Sequence, residues 1–338
     1  MTLLKYLSVA LLLLAVAIAI RLVNFDANSI GQQRTLRFEH LDDSLAGTLI
    51  LPPGKVSPTV VLLVHGDGAQ DRWSEGGYLP LVNFLVSQGF AVFSWDKPGV
   101  GESRGNWLAQ TMADRADEAA AMLINLRREP ELKNSQAGFL GFSQAGWVVP
   151  SASEQARADF AVLVGPAINW REQGTYYLRQ RLLLEGASVQ AIADASAQDT
   201  ADFDRQFTPF STSRPCAARC TREDFERRNA LADARTAIST MSTPVMILMG
   251  SDDRNVDPHQ TLTVWQATLP QQTPRCLRLV MGATHGLLRS RWFDYQLSSQ
   301  WPWWKTGMFL LAGQESYAPG ALSEIADWAA ERQCQRRE

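Results

Sequence analysis

The sequence predicts an α/β fold in which helices cover both faces of a mostly parallel sheet. Short apolar runs, many of them rich in valine, alternate along the chain with longer segments of helical spacing. Strands buried on both faces have such continuous apolar runs, and helical crossovers make neighbouring strands parallel. The 338 residues are enough for one large domain with an insertion.

The strands of this fold can be placed in order. Residues 33–40 and 46–51 are expected to pair around a turn at Asp42, Asp43 and Ser44. Helices are expected at residues 78–88, 112–128 and 144–155. The remaining strands are expected at residues 59–64, 90–95, 138–142, 160–164, 245–249 and 277–281.

One interval interrupts the alternation of strands and helices. Residues 169–239 have helical spacing but no convincing strand, and about 70 residues is too long for a simple connection. We expect a helical cap, inserted into a core formed by residues 33–168 and 240–334. Packing helices with no role at a functional site are the alternative. The helical spacing is clearest at residues 176–184, 189–203 and 222–238.

Residues 1–25 have the features of an export or membrane segment. Lys5 precedes an apolar run over residues 7–20, and Arg21 follows it. A signal peptide cleaved at an Ala-x-Ala site within residues 15–19 is one interpretation. A retained anchor is the other, because the run extended to Val23 reaches about 18 residues, near the lower limit for a spanning helix. Either one predicts a cell-envelope protein with its folded domain outside the cytoplasm, and an anchor adds membrane association.

The cysteine content agrees with export. The chain has four cysteines, and an even number in an exported chain indicates disulfides with three possible pairings. We favour Cys216–Cys220 and Cys276–Cys334, with four unpaired thiols as the alternative. A zinc site is not expected, because no Cys-x-x-Cys or paired-histidine spacing accompanies the cysteines.

The overall composition narrows the class of protein further. Hydrophobic residues make up 46% and charged residues 20% of the chain, which predicts a well-filled core rather than disorder. The formal net charge is -3 and there is no long basic run, so a nucleic-acid partner is not expected.

The segment GFSQAG at residues 141–146 has the pattern of a nucleophile elbow. It lies between a predicted strand and a predicted helix, where a sharp turn would lift the Ser143 hydroxyl above the sheet. Ala145 stands where the usual pattern has glycine, so the packing around the turn must accept an extra methyl group. By itself such a motif is weakly specific.

A nucleophilic serine needs a base, and the chain has only four histidines. His40 lies in the N-terminal strand pair, His65 is expected to shape a turn, and His259 begins a predicted helix. His285 follows the last predicted strand, within GATHG at residues 282–286. Elimination therefore favours His285 as the base.

The base needs a carboxylate that fixes its tautomer. Asp253 completes Gly-x-x-Asp-x-x-Val directly after the strand at residues 245–249, and the adjacent Asp252 is the second candidate. The order Ser143, Asp253, His285 is that of α/β hydrolases. Each of these residues follows a separate predicted strand, so all three should meet at the carboxyl edge of one sheet.

An oxyanion formed at such a site needs hydrogen-bond donors. Backbone N–H groups of Gln144 and Asp67 are expected to supply them, the second from the loop after the strand at residues 59–64. Gly66 and Gly68 would allow that loop an unusual turn. The Asp67 carboxylate should point away from the developing negative charge.

At this point the sequence resembles bacterial α/β-hydrolase esterases of the carboxylesterase and serine-aminopeptidase-like group. The resemblance spans roughly residues 34–330. It departs from the family pattern at Asp67, Ala69 and Pro98, which leaves the triad intact but bears on substrate preference. It is carried by the Ser143 elbow, the Asp253 and His285 loops, HGDGAQDR at residues 65–72 and WDKPGVGES at residues 95–103.

These observations predict a serine hydrolase that cleaves a carboxylic ester through an acyl-enzyme, without metal or organic cofactor. The substrate would be a small ester or acyl compound. A thioesterase, a serine exopeptidase and a catalytically silent, membrane-tethered binding protein remain alternatives. The aromatic residues after His285 are expected to line an acyl pocket, to pack on the sheet or to meet a membrane: Trp292, Phe293, Tyr295, Trp301, Trp303 and Trp304.

Overall fold

The structure is a computed structural model that describes residues 31–41 and 43–334 and a few residues before them. Most of the predicted N-terminal segment, residues 1–25, lies outside the described residues, and so does Asp42. No helix among the described residues is both long and apolar enough to cross a membrane. The described N-terminal residues are Tyr6, Leu12, Leu13, Ala15, Val16, Ile18, Ala19, Arg21, Leu22 and Phe25.

An eight-stranded sheet organises the chain. Its strands are β1 (Gln32–His40), β2 (Asp43–Leu51), β3 (Val60–Val64), β4 (Ala91–Trp95), β5 (Ala137–Phe142), β6 (Ala161–Val164), β7 (Val245–Gly250) and β8 (Arg275–Val280). Their order across the sheet is β1-β2-β4-β3-β5-β6-β7-β8. β1 pairs antiparallel with β2, and β2 pairs antiparallel with β4. All the other neighbours are parallel, which confirms the predicted mostly parallel sheet.

The turn between β1 and β2 is shorter than predicted. Asp43 and Ser44 belong to β2, where they pair with His40 and Glu39. Only Leu41 and Asp42 connect the strands, and Leu41 has a positive φ of 51°. A two-residue hairpin turn requires such backbone angles, because they match the twist of the flanking strands.

Helices cover both faces of the sheet, as predicted. The helices of the continuously described part are α1 (Leu79–Ser87), α2 (Met112–Leu126), α3 (Val149–Ala156), α4 (Trp170–Leu184), α5 (Val189–Gln206), α6 (Pro209–Thr212), α7 (Arg222–Asn229), α8 (Arg235–Ser239), α9 (Pro258–Thr268), α10 (Ser290–Phe293), α11 (Trp303–Ala312) and α12 (Ala321–Glu331). In β3, Val61 and Leu63 face the core under α1 and α12, whereas Leu62 faces the core under α2, α3 and α9.

The predicted insertion is helical and connects two adjacent strands, β6 and β7. The helix predicted at residues 222–238 is broken, since α7 and α8 flank a non-helical stretch. The break has a physical cause in the start of α4. The Trp170 N–H donates to the Ala232 carbonyl at 3.0 Å, and the Ala234 N–H donates to the Ile168 carbonyl at 2.8 Å. These bonds use backbone groups that a continuous helix would need for itself.

Both favoured cysteine pairings are present, which confirms that prediction. Cys276 in β8 is joined to Cys334 after α12, with 5.4 Å between their Cα atoms. Cys216 is joined to Cys220 in the insertion, with 5.2 Å between Cα atoms. The Cys276–Cys334 disulfide attaches the segment after α12 to β8, the outermost strand of the sheet.

Candidate active site

The three predicted triad residues lie at one edge of the sheet. Ser143 directly follows β5, while Asp253 and His285 lie in the loops after β7 and β8. The four neighbouring strands β5 to β8 are parallel, so their carboxyl ends lie at the same edge of the sheet. Ligands bind at this edge in open α/β sheets.

Ser143 lies in a sharp turn between β5 and α3. Its φ is 51°, in the left-handed region that residues other than glycine rarely adopt. The first turn, Ser143–Trp147, is a 3₁₀ helix, so the helix predicted at residues 144–155 is divided before α3. The structure also explains Ala145: a Cβ on Gly141 would lie only 2.7 Å from the Ala145 Cβ. Gly141 therefore leaves the space that the Ala145 methyl group fills.

His285 is oriented by Asp253. The distance between His285 Nδ1 and Asp253 Oδ2 is 2.8 Å. The other oxygen, Asp253 Oδ1, accepts hydrogen bonds from the backbone N–H groups of Asn255 at 2.7 Å and Val256 at 2.9 Å. Asp253 is buried, whereas the alternative acid Asp252 is exposed. Of the two candidates, the structure brings Asp253 to the histidine.

Gly165 is a site residue that the sequence reasoning missed. It directly follows β6 with a φ of 56°, and a Cβ at this position would lie 2.7 Å from His285 Nδ1. Any side chain there would displace the His285 ring from Asp253. The available signal was a glycine at the carboxyl end of an apolar strand.

A cavity of about 760 Å³ opens at this edge of the sheet. Ser143 and His285 both line it, while Asp253 lies behind His285. Among the described residues no hydrogen bond joins Ser143 to His285. Catalytic hydrogen bonds often form fully only when substrate is bound. The cavity has the size and the mixed apolar and polar lining of a small-molecule site.

The two predicted oxyanion residues also line this cavity. The Gln144 side chain donates to Asp67 Oδ1 at 3.0 Å, so the two residues are in contact. Gly68 has a φ of 94°, which only glycine adopts readily, but Gly66 has no positive φ. The Asp67 carboxylate is directed towards Gln144 and towards Arg222 of α7, whose Nη1 and Nη2 donate to it at 2.9 and 2.7 Å.

A buried polar cluster holds the backbone of the loop that carries Asp67. Lys97 Nζ donates to the carbonyls of Gly66 at 2.6 Å and Gly68 at 2.8 Å. Arg115 donates to the Gln144 side-chain oxygen and to the His65 carbonyl. The sequence reasoning included Lys97 only as part of the motif at residues 95–103, and it did not single out Arg115. The signal for Arg115 was a charged residue within the apolar face of a predicted helix.

His65 is a neutral member of this cluster. Burial, together with the positive charge of Lys97, lowers its pKa from the ordinary 6.5 to about 3. His65 Nε2 lies 2.6 Å from the Trp95 carbonyl oxygen, so the neutral ring donates a hydrogen bond to it. His65 therefore makes a structural contact with the backbone of β4, and it is not among the residues that line the cavity.

The aromatic residues after His285 do not line the cavity, so the predicted acyl-pocket interpretation of them is wrong. Phe293 and Trp301 pack against each other with ring centroids 4.8 Å apart. Trp303 is 85% exposed and Trp304 is 49% exposed. The aromatic walls come from residues that the sequence reasoning did not single out: Tyr78, Phe142, Trp147, Trp170 and Tyr177.

Comparison with known proteins identifies the family. Residues 57–291 match the model of the family described as serine aminopeptidase, S33. The chain belongs to this family. The S33 family assignment confirms the predicted membership in the α/β hydrolases. No curated protein sequence matches the chain significantly.

Solved structures share the fold of this S33-family chain at low identity. An esterase of Pyrococcus furiosus, Pf2001, has a TM-score of 0.55 at 18% identity, with 83% of this chain and 90% of that chain covered. Est1E of Butyrivibrio proteoclasticus, solved with bound ferulic acid, has a TM-score of 0.53 at 14% identity, with 83% and 96% covered. A hypothetical protein of Pseudomonas aeruginosa, PA2218, has a TM-score of 0.51 at 16% identity, with 86% and 96% covered.

We predict that His65 makes stability depend on pH in the acid range. Between about pH 6.5 and pH 3 the unfolded chain binds a proton at His65 that the folded chain does not. The free energy of unfolding should therefore fall as pH falls through this window, by at most about 1.4 kcal/mol per pH unit from this residue. Urea unfolding of wild type and His65→Gln should show their difference in stability shrinking from pH 7 to pH 4. A difference independent of pH would contradict a buried neutral His65.

Proposed function

We propose that this hydrolase cleaves carboxylic esters, with Ser143 as nucleophile, His285 as general base and Asp253 as the orienting acid. The observation that carries the proposal is the 2.8 Å contact between His285 Nδ1 and Asp253 Oδ2, on a cavity that Ser143 also lines. With Nδ1 donating to the carboxylate, the other ring nitrogen is the acceptor that a base needs.

The proposed reaction has two halves. His285 accepts the proton of the Ser143 hydroxyl as its oxygen attacks the ester carbonyl, and the imidazolium then protonates the departing alcohol. This leaves an acyl group on Ser143. His285 next accepts a proton from water, which attacks the acyl-enzyme. The imidazolium then returns a proton to the departing Ser143 oxygen, which releases the carboxylic acid and the free serine.

The backbone N–H groups of Asp67 and Gln144 are proposed to stabilise the oxyanion of both tetrahedral intermediates. Their proposed role is supported by the position of both residues on the cavity and by the contact between them. Lys97 holds the carbonyls of Gly66 and Gly68, on either side of Asp67. This fixes the backbone that would present the Asp67 N–H, and fixed donors are the ones that favour a transition state.

The charges of the cavity support an ester rather than a peptide with a free amino terminus. An aminopeptidase must bind the α-ammonium group of its substrate, which calls for an available carboxylate. The carboxylates among the described lining residues are Asp67 and Glu226. Arg222 binds both, through Nη2 to Asp67 Oδ2 at 2.7 Å and through Nε to Glu226 Oε1 at 2.7 Å. The substrate ammonium would have to compete with this guanidinium.

The similar folds add support for an esterase. Two of the solved structures above are an esterase and a protein with bound ferulic acid, although identities below 20% make this a likeness of fold. A thioesterase would use the same residues and remains an alternative. A catalytically silent binding protein is the alternative of a different class, and the intact contact between Asp253 and His285 counts against it.

We predict that the two adjacent aspartates differ sharply in their effect on activity. Asp253→Asn should lower kcat by about 10³- to 10⁴-fold, because the amide would favour the wrong tautomer of His285. Asp252→Asn should change kcat by less than about threefold, because the side chain is exposed and outside the cavity lining. Steady-state hydrolysis of p-nitrophenyl acetate and butyrate measures both. Equal losses in the two variants would contradict the assignment of the acid.

We predict that a free amino group on the substrate brings no advantage. The methyl esters of phenylalanine and of N-acetylphenylalanine differ in that group alone, and kcat/KM for the acetylated ester should be equal or higher. The reason is that Arg222 already occupies both cavity carboxylates. A preference of about tenfold or more for the free amine, together with cleavage of aminoacyl anilides, would instead indicate an aminopeptidase.

We also propose that the chain is exported to the cell envelope and associates with a membrane through its N-terminal segment. The two disulfides support export, since such bonds persist in oxidising compartments. Exposed aromatic residues lie beside the N-terminal residues that the structure describes. Phe25 packs on Phe309 of α11 with ring centroids 5.5 Å apart, and Trp303 and Trp304 lie in the same helix. Tryptophan is enriched where proteins meet a membrane surface.

We predict that the native protein has no free thiol and is recovered from the cell envelope. Alkylation of an unreduced extract should leave all four cysteines unmodified, and the protein should sediment with membranes. The intact mass shows whether the N-terminal segment is retained. Four alkylated cysteines in the cytoplasmic fraction would contradict export.

A further inference from the structure

Arg222 forms the contact between the inserted helices and the proposed oxyanion site. It lies in the first turn of α7 and lines the cavity. We infer that Arg222 is a positioning residue for catalysis, which neutralises the Asp67 carboxylate so that a negative charge can develop beside it. This inference rests on the proposed function, because it concerns the same oxyanion site.

The Arg222 side chain is held in place along its length. Its guanidinium lies 5.8 Å from the Trp107 ring centroid and 5.5 Å from that of Phe225. Glu226, one turn further along α7, accepts a hydrogen bond from Nε at 2.7 Å. The two terminal nitrogens both donate to Asp67, at 2.9 and 2.7 Å. Such a two-point contact between a guanidinium and a carboxylate fixes distance and orientation together.

The Asp67 carboxylate carries a negative charge close to the proposed oxyanion, and the contact with Arg222 compensates this charge. Its backbone N–H is a proposed oxyanion donor, while its carboxylate lies 3.0 Å from the side chain of the other donor residue, Gln144. An uncompensated carboxylate at that position would repel the oxyanion and raise the energy of the transition state. Burial raises the pKa of the Asp67 carboxyl, but the hydrogen bond and charge of Arg222 outweigh it and lower the pKa below the ordinary value. The carboxylate is therefore charged at neutral pH.

The other cations of the site act on the Asp67 carboxylate through their charge, without a hydrogen bond to it. The charge of Lys97 also lowers the pKa of the Asp67 carboxyl, but Lys97 donates its hydrogen bonds to the carbonyls of Gly66 and Gly68. Arg115 is bound to the Gln144 side-chain oxygen and to the His65 carbonyl. Within the described part of the chain, Arg222 is the cation that donates hydrogen bonds to the Asp67 carboxylate. The hydrogen-bonded compensation of this charge thus depends on α7 and on the seating of the insertion that carries it.

A double-mutant cycle tests this role. Arg222→Met keeps an unbranched apolar side chain at this position but removes the guanidinium and its charge. In the wild-type background, kcat for p-nitrophenyl butyrate should fall by about tenfold or more, with KM changed by less than about threefold. In the Asp67→Asn background, the same Arg222→Met substitution should lower kcat by less than about twofold. Arg222→Lys retains the charge and should recover part of the loss.

Three controls make the outcome decisive. Arg171→Met removes another ion pair of the insertion, that between Arg171 and Asp204, which lies outside the cavity lining. This variant should keep kcat within about twofold of wild type. Thermal unfolding of each variant shows whether the protein remains folded. Labelling of Ser143 by a fluorophosphonate in wild type shows that the proposed function itself holds.

Two results would overturn the inference while leaving the proposed function intact. An equal loss of kcat on substitution of Arg222 in both backgrounds would make Arg222 a packing residue of the insertion. Unchanged kcat in both backgrounds would remove it from catalysis. Absence of serine labelling in wild type would instead contradict the proposed function.

Discussion

The backbone turn at Ser143 is the constraint on which the rest of the site depends. Ser143 has left-handed backbone angles directly after β5, and these lift its side chain above the sheet edge. Such a conformation costs about 1–3 kcal/mol, which the surrounding packing must offset. That packing needs small neighbours. Gly141 makes room for the Ala145 methyl group, and Gly165 makes room for the His285 ring. The turn and its glycines together determine where a nucleophile and a base can meet.

The insertion between β6 and β7 contacts both halves of the proposed machinery. On the acid side, the Tyr176 hydroxyl donates to the Asp253 carbonyl at 2.7 Å, and Gln173 donates to the Asn255 carbonyl at 3.0 Å. On the oxyanion side, Arg222 binds Asp67. The same helices also contribute Trp170 and Tyr177 to the cavity wall. The insertion therefore acts on both the shape of the cavity and its electrostatics, and its seating is coupled to the geometry of the site.

Much of this arrangement follows from local sequence pattern. The alternation of apolar strands and helices predicts the sheet, and the rule that ligands bind at the carboxyl edge places Ser143, Asp253 and His285 together. What the pattern does not give are contacts between distant segments. Arg222 and Asp67 are 155 residues apart, and the break between α7 and α8 follows from bonds to the start of α4. Likewise, Trp147 and Tyr78 become cavity walls only because the segments after β5 and β3 that carry them converge.

The central claim is that Ser143 is the nucleophile activated by His285. The most direct measurement is intact-mass analysis of the purified chain after reaction with a fluorophosphonate, followed by peptide mapping. The account predicts one adduct per chain, located on Ser143, with no adduct in Ser143→Ala and greatly slowed labelling in His285→Ala. Labelling of Ser143→Ala at the wild-type rate, or an adduct on a residue outside the cavity, would contradict it.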